Sequence, residues 1–435
     1  MRLDLIKSLP DMKSKSALLA SIATLSAAPA FGVTLEELAA RLEKLEKKVA
    51  TYEERYGPLE HQKTADGRNV ISMPKSEPQS SVVGPSSEED IDRAYLRDVA
   101  AGGGGRWYDQ TTLGGYGELH LNQGDKEQID FHRWVLFLNH RFSDRIKLFS
   151  ELELEHSLSG DGKPGEVELE QAYIEFALDN GWALKGGQFL IPVGTLNETH
   201  EPNTFFGVER NNVEKNIIPT TWWEGGAAVS RVCNNGLSYD FAVHSALAVT
   251  TDPTSSSAFN IRSGRQKVAE ADASDFAATA RVRYSGIPGL DVSAFVNYQN
   301  DIAPDNTEDN SAVLVGGTAS YRNGGFGLKG LIGHWDIDGA SFAANDADTQ
   351  WGYYVEPSYT WEFGGSQKVG VFGRYSYYDY AKGAGNVDGG EYDEYTIGVN
   401  YWPIDNVVLK ADFTQADKKG GDTNDTYNFG IGYSF

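Results

Sequence analysis

From Arg106 to Phe435 apolar and polar residues alternate with a period of two, and this pattern narrows the possible folds more than any other feature. In "TYNFGIGYSF", Tyr427, Phe429, Ile431, Tyr433 and Phe435 share one side, while Thr426, Asn428, Gly430, Gly432 and Ser434 share the other. In "KVGVFGRYSYY", Val369, Val371, Tyr375 and Tyr377 oppose Lys368, Arg374 and Ser376. In "ELELEH", Leu152 and Leu154 oppose Glu151, Glu153 and Glu155. Such strands suit a half-wet antiparallel sheet, or a membrane barrel that is apolar outside and polar inside.

Punctuation separates these two. Strands are expected near residues 117, 135, 150, 172, 187, 227, 241, 280, 295, 317, 331, 356, 373, 398, 411 and 430. Tight-turn signals recur at every second connection, at Ser143, Asn180, Asn234, Gly286, Asn323, Gly364 and Pro403, with longer polar links between them. Asn-Gly and Gly-rich pairs supply the positive φ that short hairpins need. Strict alternation of short and long links is foreign to a soluble sandwich. It fits a 16-stranded antiparallel transmembrane β-barrel of class all-β, spanning 106–435. Trp107, Tyr116, Trp361, Tyr401 and Trp402 fall near strand ends, where interfacial girdles sit. In this geometry Leu152 and Leu154 face lipid and the glutamates face water.

Three other segments precede the barrel. Residues 1–32 read as a signal peptide, with Lys13 and Lys15, an apolar run Ala17–Ala28 and a small-x-small site at Ala30-Phe31-Gly32; translation starts at Met1 or at Met12. Over 33–56, Leu35, Leu38, Leu42, Leu45, Val49, Tyr52 and Tyr56 keep the 3-4 spacing of a coiled-coil seam. Residues 57–105 are rich in Gly, Pro, Ser and acids and read as a flexible linker. The whole chain carries 62 acids against 38 bases, which argues against nucleic acid as a partner. Cys233 stands alone, so neither a disulfide framework nor a thiolate metal cage is expected.

The link Gly194–Thr221 carries Phe205, Phe206, Val208, Ile217 and Ile218, too many apolar residues for an exposed loop. It is expected to fold inward and narrow the lumen, presenting Glu198, His200, Glu201, Glu209, Arg210, Glu214 and Lys215. By alternation, Arg133, Arg141, Lys147, Glu151, Glu153, Lys185, Arg281, Arg283, Arg322, Lys329, Arg374 and Lys410 line the wall. The eight histidines show no metal-ligand spacing; His132 and His140 are ~26 Å apart along one strand. No catalytic constellation, metal or cofactor is expected.

"HRWVLFLNHRFSDRIKLFSELELEH", "ELEQAYIEFAL", "LKGGQFLIPVG" and "FFGVERNNVEKNIIPTTWWEGGAAV" resemble, in order, the phosphate-selective porin O/P family. The resemblance implies a passive, homotrimeric diffusion channel of a Gram-negative outer membrane, in contact with lipid and lipopolysaccharide, with the coil in the periplasm. Members with such a coil resemble this chain in layout, and some pass organic acids. The terminal Tyr433-Ser434-Phe435 resembles the signal read by barrel-assembly machinery. The loop departs from the family in holding four glutamates against Arg210 and Lys215. The resemblance, together with the basic wall residues toward the short-turn end, implies small anions or organic acids as the solute class. The alternatives are a sugar channel in which Trp222, Trp223 and the many Tyr form a stacking track, a general cation-tolerant porin, or a tether between membrane and cell wall with the barrel as anchor.

Overall fold

A computed structural model describes residues 60–63, 69–72, 107–124, 127–304, 306, 308–380 and 389–435. The expected signal peptide and coil lie outside these residues. The chain divides into units 1–84 and 85–435. In the first, β1 (Glu60–Lys63) pairs antiparallel with β2 (Asn69–Ser72).

The second unit is a closed antiparallel barrel. Its strands are β3 (Thr111–Gln123), β4 (Gln128–Ser143), β5 (Ile146–Glu155), β6 (Val167–Ala177), β7 (Trp182–Leu190), β8 (Trp223–Val232), β9 (Leu237–Ser245) and β10 (Phe276–Tyr284). They continue as β11 (Leu290–Gln299), β12 (Ser311–Asn323), β13 (Phe326–Asp338), β14 (Thr349–Phe363), β15 (Gln367–Tyr380), β16 (Gly390–Ile404), β17 (Val407–Lys418) and β18 (Thr423–Ser434). Each strand pairs with its sequence neighbours, and β18 closes on β3. All expected strand centres fall inside these spans. Asn180 and Gly181 both take positive φ, 59° and 77°, as the Asn-Gly signal requires. At the other end the 124–127 and 419–422 links are as short as turns, unlike the long links expected there.

Leu152, Val243, Ile332, Ile397 and Ile431 point outward and are exposed. Inward partners are buried, as the alternation predicts. Among the described residues the register shifts at four places, and two of these shifts shape the lumen. Glu118 opposes Arg133 but His120 opposes Asp130, so β4 carries one extra residue. Between Glu151 and Leu152 the register on β6 skips Glu170. A bulge lets two consecutive side chains share a face. Here the consequences are that His132 and Arg133, and likewise Glu170 and Gln171, line one side together.

Two links fill part of the barrel. The 191–222 link, expected inside, buries Ile191, Val193, Val213, Ile217, Ile218 and Trp222. The 246–275 link also turns in and buries Leu247, Val249, Phe259 and Ile261, which the alternation gave no reason to expect. Both join one buried cluster that also holds inward Leu314, Trp335 and Tyr354. Burying each such aliphatic or aromatic side chain stabilises by about 1.5–3 kcal/mol.

Candidate functional site

The site is built by tying the 191–222 link across the lumen. Asn197 gathers its roots: Nδ2 donates to the carbonyls of Ile191 and Trp222 at 2.8 and 2.9 Å, and Oδ1 accepts Trp222 N–H at 2.6 Å. The short helix α1 (Val213–Asn216) presents Glu214, which accepts the amides of Thr195 and Leu196 at 2.6 Å and the Tyr354 hydroxyl at 2.7 Å. Lys410 donates to the carbonyls of Phe205 and Gly207, at 3.0 and 2.8 Å. Val208 N–H donates to Asp412 at 2.6 Å, Trp335 Nε1 to Ile217 O at 2.8 Å, and Arg133 to His200 O at 3.0 Å. The link is thus pinned to β4, β13, β14 and β17, far from the strands it joins.

Above it lies a chamber of about 610 Å³. Its lining includes Asp130, Glu153, Glu155, Glu168, Glu170, Glu209 and Glu394, with Arg210, Lys215, Arg262, Arg265, Lys267 and Arg374, and with His120, His132 and His156. Seven carboxylates face six permanent cations, so pairing rather than total charge decides what remains free. Lys267 is taken by Glu166 and Glu168. Arg374 pairs with Glu356 at 3.1 Å. Arg262 and Arg265 instead donate to the carbonyls of Thr220 and Thr221, and Arg210 to the Thr221 hydroxyl at 2.9 Å. Among the described residues these three and Lys215 make no ion pair. The Lys215 side chain is exposed to the chamber. These four cations stand together along the side built by the two links, across the chamber from Asp130, Glu153, Glu155 and Glu170, which likewise hold no Lys or Arg partner among the described residues.

The expected link residues meet different fates. Glu198 is bound by Arg281, which also pairs with Asp240 at 2.8 Å. Glu209 accepts from His120 and Asn122, both at 2.9 Å. Burial alone would raise its carboxyl, but the His120 contact more than offsets this and keeps it below the usual range. Glu214 is turned into the link's own backbone. His200 is buried 3.4 Å from Glu151 and 3.3 Å from Glu170. Glu201 keeps one buried oxygen without a hydrogen bond. Arg210 and Lys215 open into the chamber.

On the wall, Arg133, Glu151 and Lys410 lie beneath the link, buried, and hold it rather than line open water. Glu153 and Arg374 reach the chamber. Lys185 lies over the rings of Tyr173 and Phe189 at 5.3 and 4.8 Å. Arg283 pairs with Asp291 at 2.6 Å near a short turn. Lys147 is half-buried opposite Glu175, Lys329 stands opposite Glu356, and Arg322 lines a separate recess with Lys368 and Asp405. Trp222 is fully buried, while Trp223, 2% exposed, borders the chamber. Arg262, Arg265 and Lys267 escaped sequence reading because no strand alternation carries them. The histidines escaped it because only the β4 bulge brings them together.

The family described as phosphate-selective porin O and P matches residues 103–428. The chain belongs to the porin O and P family. This porin is 30% identical over 349 residues to a protein of Aquifex aeolicus (strain VF5), covering 74% of this chain and 80% of that one. Its fold is similar to an anion-selective porin from Comamonas acidovorans, at 12% identity and TM-score 0.52, covering 75% of this chain and 99% of that one. It is also similar to Salmonella typhi OmpF in complex with daunomycin, at 13% identity and TM-score 0.50, covering 75% and 97%. The porin is a passive outer-membrane channel for small hydrophilic solutes.

Proposed function

We propose that this porin prefers small anions, organic acids among them, and that solutes pass along the cationic side of the chamber. The observation that carries this is the crowding of Arg210, Lys215, Arg262 and Arg265 without a carboxylate partner, while Glu198 and Glu209 of the same link are already engaged. Crowded cations in a low-dielectric lumen favour an anion that relieves their repulsion. The reversal potential across a planar bilayer in a salt gradient tests it. Chloride should pass in preference to potassium, and Arg262→Gln with Arg265→Gln should move the potential toward cations. A strongly cation-selective wild type would defeat the anion reading.

The near-balance of seven carboxylates and six cations in the lining supports a second reading, a general porin with weak preference. A reversal potential near zero, unmoved by the double substitution, would favour it. The heptad seam at 33–56 and the family layout support a homotrimer with the coil in the periplasm, the barrel facing lipid and lipopolysaccharide. Deleting the coil separates a trimerising role from a wall-tethering one, since only the first lowers the oligomer fraction of purified protein.

A further inference from the structure

The chamber holds a cluster that anion passage does not use. On its acidic side, His156 Nδ1 lies 2.7 Å and His132 Nδ1 3.4 Å from the same oxygen, Asp130 Oδ2. One potential ligand atom from each of the three residues lies within 4.8 Å of the others. A second triad, His120, His132 and Glu209, meets the same limit and shares His132, whose ring stacks on His120 at 4.7 Å. The backbone fixes this neighbourhood. His156 N–H donates to His132 O at 3.1 Å, and the β4 bulge turns His132 into the lumen beside Arg133. His156 and Ser157 take φ of 51° and 49°, an uncommon state for residues with a Cβ, as the chain leaves β5. The His132 and His156 side chains are each 27% exposed, and both line the chamber, so an ion in the lumen reaches them.

We propose that Asp130, His132 and His156 form a binding site for a divalent first-row transition cation of the zinc type, with His120 and Glu209 as an adjoining ligand pair. The donor set decides the class. Hard cations such as Mg²⁺ prefer oxygen ligands, whereas imidazole suits zinc, copper and nickel. Two ligands about 2.0–2.1 Å from a tetrahedral zinc ion stand roughly 3.3 Å apart. The His132–Asp130 separation already has that value, and the His156–Asp130 contact needs to open by roughly 0.6 Å. Three protein ligands leave a fourth position facing the chamber water, as in open zinc sites. A bound dication would neutralise the acidic side and change both conductance and ion preference.

The test uses the purified full-length channel in planar bilayers, titrated with ZnCl₂. A saturable change in single-channel conductance and reversal potential at micromolar zinc is expected, reversed by EDTA and absent with MgCl₂ at equal concentration. His132→Ala and His156→Ala should each raise the half-effect concentration at least as much as the roughly 10–100-fold that loss of an outer-shell partner costs. Without any variant, zinc should protect His132 and His156 of the wild type from diethylpyrocarbonate, mapped by mass spectrometry. No saturable zinc response up to millimolar, an equal magnesium response, or modification of both histidines unchanged by zinc would overturn the site. A channel that conducts but ignores zinc would leave the porin reading intact.

Discussion

The Tyr354 hydroxyl on β14 donates to Glu214 at 2.7 Å, joining the barrel wall to the link that crosses its lumen. The same carboxylate accepts the amides of Thr195 and Leu196. Glu214→Ala would leave the Thr195 and Leu196 amides without that acceptor, at about 1–3 kcal/mol each, while the Tyr354 hydroxyl keeps Thr195 Oγ1 at 2.9 Å. The sixteen-strand ladder is untouched by that loss. Single-channel conductance and current noise should therefore rise while barrel melting stays put. Glu214→Gln keeps the shape and an acceptor, so its effect should be smaller. Wild-type conductance in Glu214→Ala would show that the link is held by other contacts alone.

A second hold on the link depends on pH. His200 sits between Glu151 and Glu170, and its Nδ1 lies 3.2 Å from Asn197 O. Burial alone would lower its pKa, but the two carboxylates outweigh it and hold the imidazolium well above the ordinary histidine range. A raised folded pKa means the stabilisation is fully present below the unfolded value near 6.5 and disappears as pH rises through the folded value. The link should stay docked near neutral pH, where Glu151 and Glu170 are ionised, and loosen in alkali. Conductance noise recorded from pH 6 to pH 10 should rise at the alkaline end in wild type and be already high, with little further change, in His200→Gln. An equal alkaline step in both would assign the transition to another group.

Period-two alternation made the barrel legible because every strand has one lipid face and one wet face. It placed Glu151 and Glu153 inward and Leu152 outward, as observed. It could not say which inward residues see open water, because that depends on what the inward links cover. Arg133 and Lys410 point into the lumen and are nevertheless buried under the 191–222 link. The apolar content of that link revealed its inward fold. The 246–275 link carries its apolar residues among Ser, Thr and Asp, so its inward turn and its cations Arg262 and Arg265 left no comparable mark. The bulges at His132 and Glu170 are invisible to a strict period of two, and they assemble the acidic, histidine-rich side.

Removal of all residues before Arg106 should leave a folded, conducting barrel. Every ladder bond of the barrel lies between Thr111 and Phe435, and closure of β18 on β3 leaves no free edge. Heat-modifiable migration and protease resistance of the truncated chain should match the full one, with only the oligomer fraction falling. A truncated barrel that proteases digest would show that the earlier residues contribute to its fold.

The chain terminus makes the final prediction. Phe435 N–H donates to Gly115 O and Phe435 O accepts Gly115 N–H, both at 2.9 Å, extending the β18–β3 seam by one pair. Its ring is 50% exposed and stacks loosely on Trp134, with centroids 6.5 Å apart. Phe435→Ala keeps both backbone bonds and removes a half-exposed ring, a loss of about 1–2 kcal/mol. Deleting the residue also removes two backbone bonds, at about 1 kcal/mol each. If the ring is read during assembly, Phe435→Ala should cut outer-membrane levels nearly as deeply as the deletion, while the refolded variant melts close to wild type. If the residue serves only the seam, the deletion should lower both quantities and Phe435→Ala neither. Quantifying the folded band in membranes and the melting of refolded protein, for both variants side by side, distinguishes the two roles.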